Sequence, residues 1–145
     1  MTNPSTVLKK AQGLRKDGQD LSGIQDIALE IQEILNEPEI KGSLRFDFER
    51  ACSSIEYALS AIDVPLVKTK YYPDKNREES VKRYALSLAN RAKNEITSTI
   101  DSFAESDDRD IGSFLTGLRA SLDYLKDAIR NAEKDVKEEE RRKPS

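Results

Sequence analysis

Carboxylates at helical spacing are the first residues of this chain equipped to hold a divalent cation. Glu30 and Glu33 lie three apart and Glu37 follows one turn later, so their side chains fall on neighbouring faces of one helix. A metal site between helices needs a second acidic pair to complete the coordination sphere. Asp47 and Glu49 have the wrong spacing for that, and Glu105-x-x-Asp108 falls in a predicted loop. The three glutamates also sit between the isoleucines of an apolar stripe, which predicts a solvated face. Asp107, Asp108 and Asp110 with Gly112 have the composition of a calcium loop, but the twelfth residue counted from Asp108 is Arg119 rather than a glutamate. Those aspartates are better placed to cap a helix and complement its dipole.

Nucleophilic chemistry has little to draw on. The chain contains no His and one Cys, Cys52, so His-dependent triads, His-ligated metals and an intramolecular disulfide are excluded. Cys52 falls on an apolar helix face and reads as core. The six glycines, at 13, 18, 23, 42, 112 and 117, form no phosphate loop. Gly117 lies inside a helical segment, where it either permits close helix approach or is a tolerated defect. No cofactor is expected. Glu30-x-x-Glu33 resembles one half of the acidic motif of helical metal-dependent nucleotide pyrophosphatases. That resemblance implies a Mg-dependent all-α hydrolase as a second alternative function.

The elements that would position these residues are four helices, each announced by apolar residues at three-and-four spacing. The first carries Leu21, Ile24, Ile27, Ala28, Ile31, Ile34 and Leu35, with Asp20 as N-cap and Pro38 behind it. Ser43 is expected to cap the second, which carries Leu44, Phe48, Ala51, Cys52, Ile55, Leu59 and Ile62 and stops at Val64-Pro65. The third is expected from Asn76, with Glu78 and Glu79 in its first turn, through Val81, Ala85, Leu88, Ala92, Ile96 and Phe103. The fourth carries Ile111, Leu115, Leu118, Leu122, Leu125, Ile129, Ala132 and Val136. Its alternating spacing of four and three is a heptad seam that asks for a long partner helix, and the third helix lying antiparallel is the expected partner. A short helix from Ser5 through Leu14 is also expected, whereas no segment alternates as a sheet strand would. Phe46, Phe48, Phe103 and Phe114 fall on or beside core stripes.

Charge adds a local asymmetry. The net charge is −3, yet residues 64–93 hold 8 basic against 3 acidic groups and residues 94–125 hold 2 against 7. The basic excess peaks in the connection between the second and third helices, Val64-Pro65-Leu66-Val67-Lys68-Thr69-Lys70-Tyr71-Tyr72-Pro73-Asp74-Lys75. Bundle connections usually need about 2–8 residues. Length, lysines and adjacent tyrosines together suit a contact surface; the alternative is a loop that covers the end of the bundle, with its lysines solvated.

The expected fold class is therefore all-α, an antiparallel four- or five-helix bundle with a long C-terminal coiled-coil-like helical hairpin. It forms one domain over 1–137 with a frayed charged tail over 138–145. The expected function is a non-enzymatic interaction or assembly module that binds an acidic protein partner through Lys68, Lys70, Tyr71, Tyr72, Lys75, Arg77, Lys82 and Arg83. A homodimer is expected through Leu118, Leu122, Leu125, Ile129 and Val136. The first alternative is a nucleic-acid-associated subunit of a larger complex. With no apolar run of the roughly 20 residues that cross a membrane and no secretory start, a cytoplasmic location is expected.

Overall fold

The computed structural model describes residues 15–16, 19–64, 80–104 and 109–142. Four helices dominate: α1 (Ser22–Ile34), α2 (Gly42–Ala61), α3 (Val81–Ser102) and α4 (Arg109–Arg142). They are preceded by a minimal antiparallel ladder, β1 (Arg15–Lys16) and β2 (Gln19–Asp20), in which Arg15 pairs with Asp20 and Lys16 with Gln19. The intervening sequence is Asp17-Gly18, a dipeptide that favours a two-residue hairpin turn. A ladder of two residues a strand is too short for any alternating pattern to announce. The short helix expected from Ser5 lies outside the described residues.

Helix limits differ from the expectation where capping decides them. α1 starts after Leu21 with no side-chain cap, because Asp20 belongs to β2. α2 begins at Gly42 rather than behind Ser43, with Lys41 at the N-cap and no capping side chain. Gly42 takes φ +65, a left-handed conformation that glycine adopts without strain. α3 begins at Val81 because the Ser80 hydroxyl accepts the backbone N–H of Arg83 at 3.2 Å, ending the helix short of Glu78 and Glu79. At the far end of α2, Asp63 N–H bonds to the carbonyl of Ser60 at 3.1 Å and Val64 N–H to that of Leu59 at 2.9 Å. With Asp63 at φ 57 this is a Schellman stop, and buried Val64 supplies its apolar contact. α4 runs to Arg142, past the boundary expected at 137.

The predicted stripes meet in one core. Ile24, Ile31, Ile34, Phe48, Ile55, Leu59, Leu88, Ile96, Phe103, Phe114, Leu118 and Leu125 are all essentially inaccessible. α4 packs most extensively on α2 and next on α3, while α1 lies against both α2 and α3. The heptad stripe of α4 is thus shared between two neighbours. Small residues explain why α2 takes the larger share. A Cβ on Gly117 would stand 2.8 Å from the Ala58 Cβ and 2.9 Å from the Ser54 carbonyl oxygen. One turn on, buried Ser121 donates to the Ala51 carbonyl at 3.1 Å. Gly117 is therefore a site of close approach between two backbones and not a tolerated defect.

The same contacts set the helix directions. Gly117 lies by Ala58 and Asn131 by Asp47, so α2 and α4 are antiparallel. Phe103 meets Phe114 edge to face at 5.5 Å, and Arg83 meets Glu140 at 2.7 Å, so α3 and α4 are antiparallel too. α2 and α3 consequently run the same way from opposite corners of the bundle. The chain leaves α2 near Gly117 and enters α3 near Glu140, a separation along α4 of about 35 Å at 1.5 Å per residue. An extended chain covers at most about 3.3–3.6 Å per residue, so this connection needs roughly ten residues or more. Its length is a requirement of topology and does not by itself mark a binding surface. Among the described residues no helix is long and apolar enough to cross a membrane.

Candidate functional site

Lys68, Lys70, Tyr71, Tyr72, Lys75 and Arg77 lie outside the described residues. The structure places the other two residues of that predicted surface. Lys82 is half-buried in the first turn of α3, and Arg83 is exposed and donates to Glu140 Oε1 at 2.7 Å. That ion pair sets the start of α3 against the last turns of α4, where Arg141 and Arg142 are also exposed. An exposed pair of this kind contributes at most about 1 kcal/mol, so it orients the surface more than it stabilises it.

The self-association residues divide into two groups. Leu118 and Leu125 are fully buried inside the chain and are not offered to a second copy. They belong to the core of the single molecule. Leu122, Ile129 and Val136 are half-buried.

Beside this end, α2 and α4 diverge to form an open cleft of about 670 Å³ lined by Gly42, Ser43, Phe46, Asp47, Asp127, Arg130, Asn131 and Lys134. Asp47 is its most constrained member. It is 5% exposed, and Asn131 Nδ2 donates to its Oδ2 at 2.6 Å. Burial pushes its carboxyl above the ordinary aspartate range and Asp127 adds to the effect, while the Asn131 hydrogen bond and Arg130 oppose it. Asp127 in turn accepts from Arg130 on the same helix. Each carboxylate of the cleft thus already has a partner. Among the described residues no cluster of three or more His, Cys, Asp or Glu is placed to hold a metal ion.

Phe46 forms the outer lip of the cleft and is 50% exposed, beside the core stripe of α2 rather than on it. It lies on the outward side of α2, between the buried positions 44 and 48. Tyr124 meets it edge to face at 6.3 Å, and the Arg50 guanidinium sits 5.2 Å from its ring centre. Tyr57, three turns along the same face, is 57% exposed. Asp47 was legible in part, since it lies three after Leu44 and four before Ala51 and so on the buried stripe. Its partner Asn131, 84 positions away, was not.

The first acidic group has also been placed. Glu30 Oε2 accepts from Arg91 Nη1 at 3.0 Å, across from α1 to α3. Cys52 is buried, with Sγ 3.8 Å from the Ala28 carbonyl oxygen, as expected of a core thiol. The described surface presents exposed charged side chains and the exposed rings of Phe46 and Tyr57. No family model, no curated protein and no solved structure matches the chain.

Proposed function

We propose that this chain is a non-enzymatic helical interaction module that binds an acidic protein partner at the end of the bundle where α3 begins, with the coiled-coil-like α3–α4 hairpin as its rigid arm. The supporting observation is the Arg83–Glu140 ion pair. It holds the start of α3, with Lys82 and Arg83, beside the C-terminal turns of α4. A local excess of basic residues, 8 against 3 acidic over residues 64–93, in a molecule with net charge −3 steers an acidic partner and fixes its orientation. The test is a nuclease-treated pull-down from the native host, comparing wild type with a Lys68→Glu/Lys70→Glu variant at matched helicity. The reading expects partners of acidic composition that are lost with the variant. Equal yields from both proteins, or partners that vanish on nuclease treatment, would overturn it.

A further inference from the structure

Over residues 126–145 basic and acidic groups nearly cancel, but the helix separates them. At about 100° per residue, Lys126, Arg130, Lys134, Lys137 and Arg141 fall within an arc of about 80° on α4. That arc is centred opposite the buried positions Leu125 and Ala132, and all five residues are exposed. The file they form rises about 22 Å, with neighbours about 4.5–6 Å apart along the axis. Arg130 is paired with Asp127; among the described residues Lys126, Lys134, Lys137 and Arg141 make no ion pair. Of the acidic residues of this stretch, Glu133 and Glu140 lie to one side and Asp127 and Glu138 to the other, while Asp135 and Glu139 fall on the inward half of the helix.

We infer that this outward ridge of α4 docks an acidic α-helix of a protein partner, its carboxylates in single file along the ridge. The inference goes beyond the proposed function, for it names a different set of residues and a shape for the partner. Three observations select that occupant. A helix with carboxylates at i, i+4 presents anions about 6 Å apart, the same repeat as the ridge. A nucleic-acid duplex is wider than one file of side chains and would press phosphates onto the flanking Glu133, Asp127 and Glu138. A single strand would gain from aromatic faces to stack on, yet of the described aromatics near this end Phe46 and Tyr124 lie on the α2 side of α4 and half-buried Tyr84 belongs to α3. The ridge itself carries none.

Binding of synthetic probes to the full chain, followed by fluorescence anisotropy, decides the matter. The probes are a helical peptide of about 18 residues with glutamates on one face, a peptide of the same composition with its glutamates spread around the helix, and a DNA duplex of matched charge. The one-face peptide is expected to bind at least tenfold more tightly than either control. Raising salt from about 20 to 200 mM, or introducing Lys126→Glu/Lys134→Glu/Lys137→Glu, is expected to cost at least tenfold. A Lys→Gln version of the triple variant, with circular dichroism as the check on folding, should show a smaller loss of the same sign. Equal binding of the two peptides, tighter binding of the duplex, or indifference to the ridge variants would overturn the inference. Loss of peptide binding in Lys68→Glu/Lys70→Glu alone would overturn the ridge while leaving the proposed function standing.

Discussion

At the scale of single residues, two positions carry opposite lessons about space and charge. Gly117 costs its helix about 1 kcal/mol relative to alanine, but the methyl of an alanine would lie 2.8–2.9 Å from the Ala58 Cβ and Cα and the Ser54 carbonyl oxygen. Two of those atoms are backbone and cannot swing aside. Overpacking of this kind costs about 1–3 kcal/mol and outweighs the propensity gain. Gly117→Ala is expected to lower the denaturant midpoint, whereas Gly112→Ala, with nothing within 4 Å of its added methyl, is expected to raise it. Asp47 is a matter of charge. Its carboxyl is raised by burial, so the unfolded chain ionises first as pH increases. Its contribution to stability is whole below the unfolded value near pH 4 and is lost as pH rises through the folded value. Asp47→Asn keeps an acceptor for Asn131 and removes the charge. Thermal melts should show the variant above wild type at pH 7, with the gap closing towards pH 4. A gap that widens on acidification would mean that the ionised carboxylate stabilises the fold.

At the scale of elements, α3 tests how a helix chooses its beginning. Acidic Glu78 and Glu79 suit a first turn electrostatically, yet the Ser80 hydroxyl accepts the Arg83 N–H and fixes the start at Val81. Ser80→Ala should cost about 1 kcal/mol, the usual loss on removing an N-cap, and Ser80→Asp should restore it. Urea titrations of the three proteins measure the difference; indifference to both changes would show that packing of Val81 and Tyr84 alone holds this end. The helices themselves were legible because each buries one face, which writes a three-and-four repeat into the sequence. Their pairing was less so. The heptad of α4 fits any long apolar groove, and what turned it towards α2 was the small pair Gly117 and Ser121, whose value lies in what they leave out. The cleft was hidden for a related reason: Asp47 on a stripe is visible, but its desolvation is eased by Asn131 and Arg130 of α4, and nothing local in the sequence pairs it with them. The outward ridge of α4 escaped notice because a summed charge ignores direction around a helix.

At the scale of the whole molecule, the parallel course of α2 and α3 makes the chain two helical hairpins laid face to face. One is α1 with α2, the other α3 with α4, and the crossover between residues 62 and 80 joins opposite ends. The most extensive helix contact, α2 on α4, and the contact of α1 on α3 both lie between the hairpins. Most of the apolar area of each hairpin is therefore covered only when the other is present, and two-state melting of the intact chain is expected. Cutting the crossover converts this internal interface into an association. Fragments 1–63 and 80–145, prepared separately, are each expected to be less helical than their share of the intact chain. α1 is short, and both α1 and α2 depend on tertiary packing, while α4 retains part of its helix against α3. Mixing the fragments should restore helicity, with a midpoint temperature that rises with fragment concentration, because folding has become bimolecular. Far-UV circular dichroism on the fragments and their equimolar mixture measures this directly. A mixture whose signal is the plain sum of its parts, with each fragment melting on its own, would show that each hairpin is a folding unit and that the α2–α4 face is a docking contact between two finished structures.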